Sequence, residues 1–387
     1  MKKIDAASLG IYRFLFGAAM ALQVIDYLVS GKIIKEYIAP KMHLSYPLLP
    51  LPTFSPEVTY GIFIAMLFLA CCIAAGYRYR VTAPLFFLGY TWIFFLDQTF
   101  FLNHYYAIWL LSGLLIVTHC DRFLAIDQYR NPKSTEIPMW HLYLFRFQIA
   151  IVYIFAAVEK LNYDWMFRGE PVRMWLPYFP ESIIQILVWG GIFFNALIIP
   201  GLLWKKTRPY AFIVAVMFHV SNSIMFSIGI FPWMMIVATT LFLDPSWPRR
   251  FVQESSISSM PSISSLLLIL YCFIQIALPL RHFTYPGDVS WTEEGRTFAW
   301  QMKVRDKKSE LTLTASGENG TYTVNPYQYL SKHQWNRVKE RPDLIRQFAN
   351  QIAGENEAIY ADSMVSLNGK PAKRMMDPNE NLVIKGK

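Results

Sequence analysis

Apolar residues in this chain gather into long unbroken runs rather than marking one face of short helices. PLFFLGYTWIFFL, YAIWLLSGLLIVTHC and IIQILVWGGIFFNALIIPGLLW approach or exceed the roughly 17 to 25 residues that cross a bilayer as a helix. The pattern predicts nine spans, at about 8–28, 57–76, 82–100, 105–120, 142–160, 182–203, 209–226, 228–243 and 262–280. The seventh and eighth nearly touch, so SIGIFP between them predicts a re-entrant or tightly kinked corner.

From His282 onward the period changes. RTFAWQMKVRD, SELTLTA and TYTVN read as strands with SGENG as a turn, because β-branched and aromatic residues alternate between clusters of turn formers. SKHQWNRVKERPDLIRQFANQIA reads as a helix broken or restarted at its proline, DSMVSLNG as a last strand, and SSISSMPSISS as a short polar linker. The expected fold is mostly α: a polytopic transmembrane helix bundle over residues 1–281 and a small α+β domain over 282–387.

Composition sharpens the class. Of 387 residues 54% are hydrophobic and 16% charged, which excludes an ordinary soluble enzyme. The net charge is +9; residues 282–387 carry 15 Lys or Arg against 13 Asp or Glu, so +2 belongs there and +7 to the hydrophobic part. In that part the basic residues sit in connecting loops, which points to membrane topology rather than to nucleic acid. With the N-terminus inside, 12 basic residues flank the inner ends of the spans and 6 the outer ends. This predicts N-in and C-out, with the polar domain extracytoplasmic. All four cysteines lie in or at the ends of apolar runs, so no disulfide framework or paired-cysteine metal site is expected. MKKIDAASLGIYRFLFGAAMAL flows into a full-length first span and so does not read as a cleavable signal.

Charged groups inside a span are costly unless they face a cavity or a partner, which makes each a functional candidate. Arg13, Asp97 and Arg146 qualify, with Gln148, Asn195, His219, Asn222 and Ser223 as polar company. Lys160 closes the fifth span in VEKLNYDW, 14 residues after Arg146, which puts the two near one helical face at different depths. Simpler readings compete: a lysine at a helix end snorkels to the interface, both arginines can pair with Asp97 or with backbone carbonyls, and His104 can be an interfacial histidine. No phosphate loop, HExxH, GxSxG or ligand-spaced cysteine pair occurs, and no metal site is predicted.

Taken in order, RFLFGAAMALQ, LDQTFFLNHYYAIWLL, RFQIAIVYIFAAVEKLNYDW, FHVSNSIMFSIGIFPWMMI, FLDPSWPRR, WTEEGRTFAWQMKVRDK, VNPYQYL, RPDLIRQFANQIA and IYADSMVSLNGKPAKRMMDP resemble the vitamin K-dependent γ-glutamyl carboxylases and their bacterial relatives, which share the horizontally transferred transmembrane domain. The likeness spans about residues 8–383. It implies a carbon–carbon lyase that uses reduced vitamin K (phylloquinol or menaquinol), oxygen and carbon dioxide. A base deprotonates the hydroquinone, oxygen adds, the resulting alkoxide removes a γ-proton from a glutamate of a peptide or protein, and carbon dioxide traps the carbanion while the quinone leaves as its epoxide.

The same resemblance implies roles. Lys160 is the base and His104, beside Asn103, couples epoxidation to carbanion formation. Arg146, His219, Asn222, Phe226 and Ser227 belong with the quinol; His282, Arg296, Trp300 and Met302 belong with the glutamate substrate. Arg296 and Arg305 stand where vertebrate members have Tyr and His, and two readings stay open: they hold a substrate carboxylate in bidentate fashion, or they stand solvated on exposed strands. An amine with an ordinary pKa of about 10.4 must be shifted downward to act as a base near neutrality. Desolvation and the neighbours Arg146, Arg168 or Arg173 would do that, and Glu159, where vertebrate members carry a second lysine, would oppose it. Vertebrate members continue into a long lumenal extension that recognises a propeptide, so propeptide-directed carboxylation is not expected here. Two rival readings are a quinol epoxidase or oxygenase without carboxylation and a non-catalytic transporter or scaffold. The expected location is a bacterial inner membrane, or the endoplasmic reticulum in a eukaryote.

Overall fold

The computed structural model describes residues 2–226, 228–252, 265–318 and 320–384. Helices α1 (Ala7–Val29), α2 (Pro56–Ala75), α3 (Tyr79–Phe95), α4 (Asn103–Val117), α5 (Trp140–Val158), α6 (Glu181–Leu203), α7 (Arg208–Met225), α8 (Phe231–Thr239) and α9 (Ser265–Leu280) build the helical part. Five helical stretches are long and apolar enough to cross a membrane: α1, α2, α5, α6 and Leu266–Thr284, in which α9 continues through a 3-10 turn. The remaining expected spans fall on α3, α4, α7 and α8, which are shorter or more polar. The start of the ninth expected span and the linker SSISSMPSISS, up to residue 264, lie outside the described residues.

Sequence explains the helix ends. Ser55 accepts a hydrogen bond from the Val58 amide with Pro56 in the first turn, and α2 stops at Gly76 in the left-handed conformation (φ 64°). A side chain there would strike Ala125 and the Arg13 guanidinium, so only glycine fits. Arg13 itself is fully buried, and its guanidinium donates to the carbonyls of Ile73, Ala74, Cys120 and Leu124. Arg146 likewise donates to the carbonyls of Leu241 (2.8 Å) and Leu243 (3.1 Å). Both arginines therefore satisfy helix-end carbonyls that lipid could not. Large apolar side chains such as Phe68, Leu88, Ile186, Phe193, Ile213 and Phe273 stay exposed on the outer faces, as expected of a multi-pass membrane protein in contact with lipid.

The C-terminal part carries strands β1 (Lys307–Gly317), β2 (Gly320–Thr323), β3 (Ala358–Leu367) and β4 (Lys373–Arg374) in the antiparallel order β2-β1-β3-β4, with helices α10 (Lys332–Val338) and α11 (Pro342–Ile352). The expected break falls at Pro342, which cannot continue α10 and instead opens α11. RTFAWQMKVRD is not a strand: Phe298, Trp300 and Lys303 adopt φ of 69°, 59° and 52°, which no ladder tolerates. The segment inserts into the bundle, where Trp300 is fully buried with its ring 4.8 Å from that of Tyr106. Burial of Phe298, Trp300 and Met302 against the bundle core outweighs strand propensity.

Asp97 pins the two parts together. Its buried carboxylate accepts from the Thr99 amide (2.8 Å) and hydroxyl (2.7 Å), from Gln334 Nε2 on α10 (2.7 Å), and meets His43 Nδ1 at 3.1 Å. It therefore does not pair with Arg13 or Arg146. Gln334 also donates to the Met42 carbonyl at 3.0 Å. Replacing Gln334 with leucine leaves a buried carboxylate short of a donor and is expected to destabilise the protein by about 2–3 kcal/mol, read as a lower melting temperature in detergent.

Candidate active site

The helix α5 ends at Val158, so Glu159 and Lys160 lie just beyond it. Each polar residue of EKLNYDW then has a task. The Asn162 side chain accepts from the Trp165 amide (2.9 Å) and donates to the Glu159 carbonyl (2.8 Å), reversing the chain into the short helix Tyr163–Met166. That turn brings the Trp165 ring under Lys160, whose Nζ lies 5.2 Å from the ring centre. Trp165 is fixed in turn by its indole donating to the Val188 carbonyl at 3.1 Å. Asp164 accepts from Lys370 Nζ (2.7 Å) and Asn368 Nδ2 (3.1 Å) of the C-terminal part.

Lys160 is buried and does not snorkel: it is 7% exposed, and its Nζ donates to the Ala156 carbonyl at 2.9 Å. Among the described residues no carboxylate lies within 4.0 Å of it. Lys160 lines a largely apolar cavity, open on one side to the surroundings, between α5, α6, α7, α8 and the segment at Met302. Burial draws the Lys160 amine down to about 8, with Glu159 opposing. The Glu159 side chain points away from the cavity to His282 and Gln301. Burial pushes its carboxyl up to about 7 against Gln301, Arg296 and Lys160.

The cavity gathers Lys160, His219, Asn222, Phe226 and Met302 from the expected set. His219 Nε2 and Tyr153 OH are 2.6 Å apart, and the Asn222 amide donates to the Phe218 carbonyl at 3.0 Å. His104 stands one ring away: it packs on Phe231, centroid to centroid 5.8 Å, and Phe231 lines the cavity. Asn103 lies behind the wall and donates to the Gln301 carbonyl at 2.9 Å. Arg146 is not brought to the cavity, since its guanidinium is occupied by the carbonyls of Leu241 and Leu243. Trp300 anchors the inserted segment, and Ser227 lies outside the described residues.

Arg296 and Arg305, the arginines considered for a substrate carboxylate, already have a carboxylate partner in the protein. Both guanidinia are taken up by the buried Glu293, which also meets Lys307 Nζ at 2.7 Å. The residue missed by sequence reading is Lys303. Its Nζ lies 4.7 Å from the Trp175 ring centre and 5.1 Å from that of Phe226, on the cavity wall. No carboxylate among the described residues approaches it within 4.0 Å. Burial holds its amine below the usual lysine range, with Arg337 adding to the shift and Asp306 opposing. Nothing in the local sequence marked it, because only the left-handed turn at Lys303 itself aims it inward. Tyr153 was legible in principle: it lies 7 residues before Lys160, two helical turns back on the same face.

A lysine lowered to about 8 when folded and near 10.4 when unfolded binds fewer protons in the folded state between those values, so stability rises with pH across that window. Below it the burial carries its full cost, about 3 kcal/mol. Lys160→Met is expected to melt higher than wild type near neutral pH, with the difference shrinking toward pH ~10, as measured by thermal denaturation across pH.

Two family models match this chain. The HTTM domain covers residues 1–247, and the vitamin K-dependent gamma-carboxylase lumenal domain covers residues 260–386. No solved structure matches it. The first match takes in the helical part through the cavity wall, and the second takes in the inserted Trp300 segment and the sheet that follows. By both matches the chain belongs to the vitamin K-dependent gamma-carboxylase family, as an HTTM domain joined to that family's lumenal domain.

Proposed function

We propose that the protein is a membrane γ-glutamyl carboxylase that couples epoxidation of reduced vitamin K to carboxylation of glutamate in a peptide or protein. The observation that carries this reading is the Lys160 amine, buried at the end of an apolar cavity with no carboxylate within 4.0 Å among the described residues. A naphthohydroquinone is flat, apolar and edged by two hydroxyls, and the cavity offers aromatic and aliphatic walls with few polar groups. Phe226, Trp175 and Met235 would flank such a ring; Lys160 and the Tyr153–His219 pair are the polar groups available to its oxygens. When bound, that group supplies the reaction with oxygen that yields a base strong enough for a glutamate γ-proton.

The protein's own contribution is proton handling and exclusion of water. Lys160 Nζ, as a free amine, accepts a proton from a hydroxyl placed against it. The Trp165 face and the Ala156 carbonyl hold the resulting ammonium in place. Lys303 is the cation suited to a substrate carboxylate, since Arg296 and Arg305 already donate to Glu293 while Lys303 has no carboxylate within 4.0 Å among the described residues. Extracytoplasmic placement of the C-terminal part, with the N-terminus inside, would let a secreted peptide reach that lysine, in a bacterial inner membrane or an endoplasmic reticulum.

The engagement of Arg296 and Arg305 by Glu293 also favours a second reading, a quinol oxygenase without carboxylation. Purified protein supplied with reduced vitamin K, oxygen, labelled carbonate and a Glu-containing peptide separates the two. Epoxide and labelled peptide are both expected, each falling at least about 100-fold in Lys160→Ala. Epoxide without labelled peptide selects the oxygenase; independence of both products from Lys160 removes either reading. Lys303→Met is expected to raise KM for the peptide about tenfold or more through the lost charge-assisted contact.

A further inference from the structure

Glu159 and His282 meet on the far side of Lys160 from the cavity. His282 Nε2 lies 3.3 Å from Glu159 Oε1, with the two side chains 4% and 7% exposed. His282 Nδ1 is 2.7 Å from the Pro279 carbonyl, which can only accept, so Nδ1 carries a hydrogen. In a neutral ring Nε2 then presents a lone pair to the carboxyl. An ionised Glu159 would set two lone pairs against each other in a buried site, which is unfavourable; a proton between them turns repulsion into a hydrogen bond. The other oxygen settles where that proton sits. Gln301 Nε2 donates to Glu159 Oε2 at 2.8 Å, marking Oε2 as the carbonyl oxygen. Oε1 is buried and makes no hydrogen bond, with His282 Nε2 approaching it at 3.3 Å, which leaves it as the oxygen free to carry an acid hydrogen.

We propose that Glu159 and His282 share one proton, held on Glu159 Oε1, and that this neutral pair deprives Lys160 of a counter-ion, making His282 a positioning residue for the free amine. The inference rests on Lys160 as the base and deepens that reading. Other charged groups around the pair are consistent with it. Arg296 acts on Glu159 from a distance but is paired with Glu293. Arg281, next to His282, is occupied by the carbonyls of Leu278 and Thr297. Lys160 itself is turned to Ala156. The burial that pushes the Glu159 carboxyl up to about 7 acts in the same direction. Loss of the shared proton above that range leaves a net negative pair beside Lys160, which favours the ammonium and withdraws the base.

The test needs neither quinone nor turnover, so its failure is distinct from failure of the carboxylase reading. Acylation of Lys160 by an amine-directed reagent is followed by mass spectrometry against pH in the full-length protein in detergent. At about pH 6, Glu159→Gln is expected to leave Lys160 labelling unchanged, and above about pH 8 to exceed wild type by about tenfold, the effect of one pKa unit. A tenfold rise already at about pH 6 would identify Glu159 as an ionised partner of Lys160 and overturn the proposal. Infrared spectroscopy gives the second readout. A protonated-carboxyl C=O band is expected that disappears in Glu159→Gln, persists in His282→Gln, whose amide oxygen accepts the same proton, and disappears in His282→Lys, whose ammonium fixes the carboxylate. Absence of the band in wild type, or its persistence in His282→Lys, overturns the assignment.

Discussion

An amine removed from water without a carboxylate beside it is costly, and the surroundings of Lys160 follow from that constraint. The amine sits past the last turn of α5, where the Ala156 carbonyl lacks a helical partner and can accept from it. The Trp165 ring gives it a polarisable face instead of a counter-ion. Asn162 makes the reversal that brings Trp165 there, and Asp164 fastens the same turn to the C-terminal part. Each neighbour stabilises the position of the side chain without supplying a counter-charge, which leaves burial free to lower the amine's affinity for a proton.

Carboxylates near the site are engaged in ways that prevent them from reaching the amine. Glu159 turns to His282 and Gln301; Glu293 gathers Arg296, Arg305 and Lys307; Asp164 meets Arg168 and Lys370. Cations split into two kinds. Arg13 and Arg146 donate to backbone carbonyls and hold loop corners against the bundle, whereas Lys160 and Lys303 meet aromatic rings on the cavity wall. Guanidinium suits the first task because it offers five donors and stays charged. At Lys160 a primary amine suits the site because burial lowers its affinity for a proton, which a guanidinium resists.

The polar domain completes the site rather than decorating it. Trp300 enters the bundle beside Tyr106, Met302 and Lys303 form part of the cavity wall, and Gln301 reaches Glu159. Asp97 and Gln334 secure the approach from the other side. A chain segment with three left-handed non-glycine residues is strained locally, and the burial of its aromatic side chains offsets that strain.

What the sequence determined by itself was the class and the catalytic candidate. Long apolar runs can only be helices in lipid, because every backbone group must be satisfied within its own segment, and five of the nine expected spans appear as helices of full length. The ordered blocks of resemblance pointed to the family that both domain matches support, and to Lys160. Periodicity also located the sheet, since alternation along β1 and β3 is a local signal. Tertiary structure decided the rest. Which side chains share the cavity and where Glu159 turns depend on contacts between residues more than 100 apart in the chain, such as Glu159 with Gln301. Burial draws the Lys160 amine down to about 8, and burial is a property of the packed molecule. The segment around Trp300 shows the limit most clearly: its residues favour a strand, and only the bundle core, unknown to any local window, makes the irregular path the more stable one.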